Sequence, residues 1–400
     1  NPEYSAKLDS LINAKDKVPF KIFDKKNAEK LFGKNLNISA SQLEKFNLCR
    51  FSYFCNYGLN VRERQRAEIN PLQYGTIVHY ILERFFGEYT KEEYLSLEED
   101  KFQKIVCAYL AEYAVKYFGE EQLESNSFTY RLKTILDNVM YLMKHIMEEL
   151  SQSEFFVADC ELKIGEDIPS YTIVLPDGHK IAVCGSVDRV DIMQRADITY
   201  LRIIDYKTGT KQFKLSDILY GINLQMLLYL HSIEASGGDK YGEIVPAGIL
   251  YMPATVPYIS SDSLKSIDKL PDELNKKLKM NGLLLKDTEI IHGMDKTDVA
   301  TYIPVKIKAG EPVSSTSLAT LAEFGKIFKK VDMLIAEMGK NIYNGNIEAK
   351  PLKGGHDSCE YCPYDSVCAY RQSNPITCFS VDNKTVIEEI TNEINGKEEE

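Results

Sequence analysis

The sequence predicts an α/β protein with one core sheet and a block of helices inserted before it. Three observations predict it. From Pro71 to about Leu150 apolar residues recur at three- and four-residue spacing, as in Ile77, Val78, Ile81, Leu82, Phe85 and Phe86. Residues 154–207 then read as successive strands, and a helix, a strand and a long helix follow in that order. At 400 residues the chain is long enough for two or three domains or one large decorated one.

Taken in order, residues 1–37 are Lys-rich without a clear period and read as a lead-in from a missing N-terminal part. Ile38-Ser39-Ala40-Ser41-Gln42-Leu43-Glu44 is a helix start, with Ser39 or Ser41 as N-cap ahead of Leu43 and Phe46. Val61-Arg62-Glu63-Arg64-Gln65-Arg66 reads as a solvated loop or hairpin edge. After the helices around 99–118 and 128–150, strands are expected at Phe155–Ile164, Tyr171–Leu175, Lys180–Met193 and Thr199–Lys207, with Pro176-Asp177-Gly178 as a turn. Asp217–Ser232 is apolar almost all round and reads as a buried helix. Glu243–Met252 is another strand, followed by a polar stretch to 300. Thr301–Ile307 is a short strand and Ser317–Tyr343 a long amphipathic helix. Residues 353–372 are Gly- and Cys-rich, and 373–400 form a frayed tail.

Composition excludes some classes. With 44% hydrophobic and 27% charged residues the chain is an ordinary globular one, and no apolar run approaches the roughly 18 residues of a membrane span. Lys and Arg number 48 against 59 Asp and Glu, a net charge of −11, which argues against a simple nucleic-acid-coating module. Nine Cys without an export signal point to a reducing, cytoplasmic setting. The start, Asn1-Pro2-Glu3-Tyr4, reads as a cut from a longer polypeptide. No G-x-x-x-x-G-K-[ST], H-E-x-x-H or G-x-S-x-G occurs, so the chain has no phosphate-cradling loop of that kind and no protease or esterase signature.

The segment Ile203-Ile204-Asp205-Tyr206-Lys207-Thr208-Gly209 carries the most chemistry. Alternation along a strand sets Asp205 and Lys207 on one side. If the strand holding Gly185-Ser186-Val187-Asp188 pairs antiparallel with Asp188 opposite Asp205, the hairpin turns within Gln194-Arg195-Ala196-Asp197, where a polar turn is wanted. Two carboxylates that close call for a cation between them. Oxygen ligands with an open coordination sphere suit Mg²⁺ or Mn²⁺, and a neighbouring lysine can orient a water or offset charge on a phosphorane. The plainer reading is an exposed hairpin with surface acids and a salt-bridging lysine.

Cys359-x-x-Cys362-x5-Cys368 lies in an irregular Gly-rich stretch that suits metal ligands better than core. For a fourth thiol, Cys378 is near and Cys49 and Cys55 are remote. Local spacing favours Cys378 and a zinc ribbon, although a ribbon has two C-x-x-C pairs and this stretch has one. Cys107, Cys160 and Cys184 sit in apolar surroundings and read as core thiols.

Gly75-x-x-x-His79-x-x-x-Glu83, Gly185-x-x-Asp188-Arg189-x-Asp191, Asp205-Tyr206-Lys207-Thr208-Gly209 and Gln225-x-x-x-Tyr229 occur in this order. Together, over about 38–372, they resemble the RecB-type branch of the PD-(D/E)XK nucleases. That resemblance implies a restriction-endonuclease-like core, a mixed sheet flanked by helices, cutting DNA phosphodiesters with Mg²⁺. It implies His79, Asp188 and Asp205 as metal ligands and Lys207 as the catalytic lysine. Gln225 and Tyr229, one helical turn apart, would face the active site or the DNA backbone. Asp205 stands where many members carry Glu, and Glu161 is a further acidic candidate that no neighbouring motif fixes.

Cys49 followed by the distant Cys359-x-x-Cys362-x5-Cys368, bracketing these motifs, is similar to the iron–sulfur nuclease domain of the AddB family, second subunits of AddAB ATP-dependent helicase–nucleases. The resemblance implies a [4Fe–4S] cluster on Cys49, Cys359, Cys362 and Cys368, AddA as a partner helicase, and single DNA strands from unwound duplex ends as substrate. It places a nuclease domain over 38–372, with 87–150 as helical insertion and 353–372 as cluster-binding segment. The same motif order also fits a stand-alone iron–sulfur exonuclease of the CRISPR-adaptation type. A non-catalytic DNA-end-binding or assembly module is the reading from another class, against which the intact Asp188, Asp205 and Lys207 set argues. A local basic path for DNA would include Arg50, Arg62, Arg64, Arg66 and Lys211.

Overall fold

The structure, a computed structural model, describes residues 4–5, 21–62, 71–119, 125–209, 212–256, 270–297, 299–314, 316–368, 370 and 375–398. Six strands form the core sheet: β2 (Phe156–Ile164), β5 (Gly185–Arg195), β6 (Ile198–Lys207), β7 (Glu243–Pro253), β8 (Asn281–Leu285) and β11 (Leu318–Ala319), in the order β11-β8-β7-β6-β5-β2. β2, β5 and β6 run as an antiparallel meander, β6 pairs parallel with β7, and β8 returns antiparallel to β7. A parallel pair needs a crossover, and the buried helix Gln225–Ser236 supplies it. Its residues Met226–Ile233 are all buried because it packs between β7 and the long helix Leu321–Tyr343.

Helix Pro71–Glu88 lies against β2 and β6 and meets the two insertion helices, Glu99–Phe118 and Asn126–Gln152. The last of these sends Glu149 under the sheet. There Arg189 donates to Glu149 and Asp191, and Arg202 donates to the same two acids, at 2.6–3.0 Å. All four side chains are 0% exposed. Four charges leave water together only because each is matched by partners of opposite sign. Arg189 and Asp191, read from sequence as part of a functional motif, are the pins of this network.

Several elements differ from the sequence reading. The lead-in contains a helix, Lys25–Phe32, capped by Asp24, and a strand, β1 (Asn35–Ile38), which pairs parallel with β4 (Lys180–Val183). Both are too short to show a period. The single strand expected at Lys180–Met193 is two: β4 joins β1 and β3 (Thr172–Val174) in a small sheet, and β5 enters the core sheet. The break falls at Gly185, where a Cβ would lie 2.2 Å from the Tyr229 hydroxyl, so only glycine lets the chain pass. The helix expected at Asp217–Ser232 is a 3-10 turn, Leu215–Tyr220, and the helix Gln225–Ser236, parted by Gly221 in the left-handed region at φ 68°.

Within the supposed polar stretch lie β8 and the helices Leu270–Leu278 and Thr288–Met294. The strand expected at Thr301–Ile307 is β9 (Lys306–Lys308), paired with β10 (Glu311–Val313). The tail is not frayed over its described part. β13 (Ile376–Cys378) pairs with β12 (Leu352–Gly354), and helix Asn383–Glu398 buries Val386, Ile390 and Ile394 against the long helix. No described helix is long and apolar enough to cross a membrane.

Candidate active site and thiol cavity

The β5–β6 ladder runs from Arg189 opposite Ile204 to Arg195 opposite Ile198, which is the register that sets Asp188 opposite Asp205 one step further on. Ala196, at φ 48°, makes the turn where the polar run stands. Asp188 Oδ2 accepts the Tyr206 amide at 2.9 Å. Asp205 Oδ1 accepts Gln225 Nε2 at 3.0 Å, and its other oxygen lies 2.5 Å from the Lys207 ammonium. Gln225 is the first residue of its helix, so the crossover itself delivers the amide to the sheet end. Tyr229, one turn on, is buried with its hydroxyl over Gly185 and within reach of the Asp188 and Asp205 charges.

His79 arrives from helix Pro71–Glu88, which approaches the strand end where a Cβ at Gly75 would meet Thr208 at 3.8 Å. Its Nε2 is 3.7 Å from Asp188 Oδ2, and its Nδ1–H donates to Glu161 Oε1 at 2.9 Å. Glu161, opposite Asp188 on β2, takes φ 51°, a left-handed conformation that costs a side-chain-bearing residue about 1 kcal/mol and that turns the carboxylate toward His79. Ser186 Oγ donates to its other oxygen at 2.8 Å. Ligand atoms of His79, Glu161 and Asp188 all fall within 4.8 Å of one another. Sequence reasoning reaches Glu161 but cannot place it, since the signal is a strand distortion rather than a motif.

Burial, then the neighbouring Asp205 charge, pushes the Asp188 carboxyl up to about 7. For His79 burial works against the charged form, but the Glu161 hydrogen bond and the charges of Asp188, Glu161 and Asp205 outweigh it and raise the imidazole. Glu161 is likewise opposed by burial and held below its ordinary value by His79 and Ser186. An acid that resists ionisation beside a cation-seeking cluster is what a divalent-ion site looks like before the ion arrives.

A second cavity, about 200 Å³, is lined by Cys49, Cys359, Cys362 and Cys368, with Phe51, Ala349 and Pro351. Cys49 caps the start of the short helix Arg50–Tyr53, and Cys368 ends the helix Asp365–Cys368. Cys55, 4% exposed on the adjoining π-helix Phe54–Gly58, packs beside Tyr364 against the same thiols. Cys378 is buried elsewhere, with Ile222 and Leu352, so the nearby fourth thiol in sequence is not the nearby one in space. Cys107 in a helix, Cys160 on β2 and Cys184 between β4 and β5 are half-buried. Of the basic path, Arg50 pairs with Glu337 at 3.4 Å and Arg62 is exposed, while Arg64, Arg66 and Lys211 lie outside the described residues.

Residues 37–369 match the family model of the PD-(D/E)XK nuclease superfamily. Among curated relatives, one from Clostridium kluyveri is 35% identical over 397 residues, covering 95% of this chain and 34% of its own length. One from Thermoanaerobacter sp. (strain X514) is 34% identical over 354 residues, 86% of this chain and 30% of the relative. One from Ruminiclostridium cellulolyticum is 33% identical over 393 residues, 94% and 34%. All three bear the name of the B-type subunit of an ATP-dependent helicase/deoxyribonuclease, the AddB class to which the motif order points. The chain spans about a third of the length of these relatives. The motif order, the sheet that sets Asp188 across from Asp205 and the match over most of its length place this chain in the PD-(D/E)XK nuclease superfamily.

Proposed function

We propose that the chain is the nuclease part of a cytoplasmic AddAB-type helicase–nuclease. In this role it hydrolyses phosphodiester bonds of single DNA strands, acting as an exonuclease while duplex ends are processed for recombinational repair. The observation that carries the reading is the opposition of Asp188 and Asp205 at the end of β5 and β6 with Lys207 beside them. The relatives' name supports the setting, in which a partner helicase, AddA, would unwind the duplex and feed strands to the site.

The donor set fits Mg²⁺ or Mn²⁺: carboxylate oxygens and one imidazole at the rim of a sheet. His79 through Nε2, Asp188 and Asp205 would hold the ion. Glu161 accepts from His79 Nδ1 and from Ser186, so it fixes the imidazole, and it also lies within ligand distance of His79 and Asp188. When bound, the ion supplies positive charge to the scissile phosphate. Lys207 orients the attacking water or offsets charge on the phosphorane, and Gln225 keeps Asp205 aimed.

The thiol cavity suits a [4Fe–4S] cluster held by Cys49, Cys359, Cys362 and Cys368, since four sulfur donors converge on one enclosed space. Such a cluster would join segments roughly 310 residues apart and act as a staple.

The test uses Mg²⁺, a labelled single strand and the iron-loaded chain. Cutting that Asp205→Ala and Lys207→Ala each abolish, with iron content unchanged, supports the reading. Retention of the strand without products by the unsubstituted chain overturns it in favour of a binding module.

A further inference from the structure

A cavity of about 560 Å³ is lined by His79 and Glu161 from the candidate site and by Tyr113 and Tyr117 from the helical insertion. Tyr80 and Lys163 line it as well. The three tyrosines form a ladder. Tyr80 and Tyr113 have ring centroids 5.2 Å apart, and Tyr113 and Tyr117 are 4.4 Å apart at an interplanar angle of 35°. Tyr80 comes from the helix that carries His79, in the next position of the sequence, and both side chains line the cavity.

Burial grades along it. Tyr113 is buried, whereas Tyr117 is 55% exposed, so the last ring ends the ladder with much of its surface in solvent. Tyr80 is tethered by its hydroxyl to Glu112 at 2.9 Å, which fixes the inner end. The Lys116 ammonium stands 5.1 Å from the Tyr117 centroid, and Lys163, on β2 two residues beyond Glu161, pairs with the exposed Glu166 at 3.2 Å. A half-open aromatic ring backed by a second ring, with two cations at hand and His79 and Glu161 lining the same cavity, has the composition of a single-strand stacking site.

We infer that Tyr117, backed by Tyr113, is a stacking platform for a base of the single strand beside the scissile phosphate, with Lys163 facing the strand's backbone. This rests on the nuclease reading above and adds a positioning residue to it. Stacking is tolerant of base identity because every base offers a π-face, so the platform holds the strand in line without selecting a sequence. It also gives the helical insertion a part in catalysis, since the insertion supplies the ledge that the sheet lacks.

The test uses the iron-loaded chain in a Lys207→Ala background, with Mg²⁺ and single strands carrying 2-aminopurine at successive positions. The expected result is a fluorescence change confined to one or two positions, retained in Tyr117→Phe and lost in Tyr117→Ala. Strand affinity should fall about tenfold in Tyr117→Ala and little in Tyr117→Phe. A strand with an abasic site at that position should bind both variants alike. Because Tyr117 is largely exposed, an unchanged melting curve confirms that the Ala variant is folded. Equal affinities and equal fluorescence for Ala and Phe, while Lys207→Ala still abolishes cutting, overturn the platform and leave the nuclease reading intact. Failure of the unsubstituted chain to cut with Mg²⁺ removes the nuclease reading instead.

Discussion

Asp188 stands opposite Asp205 one step beyond the last paired residues of β5 and β6, and burial with that neighbouring charge pushes its carboxyl up to about 7. In the unfolded chain the same group titrates near 3.8. A carboxyl raised on folding costs stability as pH climbs from about 4 to about 7, because the native state holds a proton that the unfolded state has lost. Asp188→Asn is therefore expected to abolish cutting and yet stabilise the metal-free protein at pH 8 by about 1–2 kcal/mol. Urea melts of both proteins at pH 4 and pH 8 without divalent ions check this. A variant no more stable than the parent at pH 8 would show that the pair is relieved in some other way.

Glu161 reaches His79 by one oxygen and Ser186 by the other. Glu161→Ala frees the imidazole, and the Mg²⁺ concentration for half-maximal cutting should rise roughly 10- to 100-fold. Glu161→Gln keeps the length of the side chain and should recover part of that loss. Metal titrations of the cutting rate read the difference, and equal constants for parent and Glu161→Ala would remove Glu161 from the site.

Glu149 bridges Arg189 and Arg202 with no access to water. Glu149→Ala leaves two buried guanidinium groups short of a counter-charge and should cost about 3–5 kcal/mol in unfolding free energy. Replacing the surface acid of the Lys384–Glu388 pair, both well exposed, should cost almost nothing. Denaturant unfolding of the two variants measures the contrast.

His231, between the rings of Tyr171 and Phe328, shows the opposite titration. Burial lowers its pKa, but hydrogen bonds and charge from Asp332, 3.0 Å away, and Glu234 outweigh it and push it up to about 9. A group raised in this way stabilises fully below its unfolded value near 6.5 and loses that contribution as pH rises through about 9. His231→Gln should thus be less stable than the parent by on the order of 2 kcal/mol at pH 6, with the gap closing by pH 10. Thermal melts across that range follow it.

Cys49 and the Cys359, Cys362 and Cys368 group line one cavity, whereas Cys378 packs in another place. Cys49→Ser should lower bound iron and sulfide together and drop the thermal midpoint. Cys378→Ser should leave iron content unchanged. Iron and sulfide assays with the visible spectrum decide, and a colourless zinc-bearing protein indifferent to Cys49→Ser would overturn the cluster.

Much of the site is legible in the sequence because strand chemistry is local. The register of Asp188 against Asp205 follows from where a polar turn can sit, and alternation then puts Lys207 on the Asp205 side. Residues whose placement depends on tertiary contact are not legible in the same way. Glu161 is aimed by a backbone distortion, Arg189 is claimed by Glu149 from a helix 40 residues upstream, and Tyr229 packs where Gly185 lacks a Cβ. Short elements such as β1 and β8 carry too few residues for a period to emerge, and the C-terminal helix hides its buried Val386, Ile390 and Ile394 among acids.

The thiol cavity also has a consequence in time. Cys49 is synthesised before the core sheet and Cys359, Cys362 and Cys368 after it. A prosthetic group gripped by all four can be inserted only once translation has passed the sheet. A product stalled within it would hold the acids but only one of the four sulfurs. Were such a group to load, its insertion would report that the whole sheet had been made, and withholding it would leave the segments around Cys49 and Cys359 unclasped.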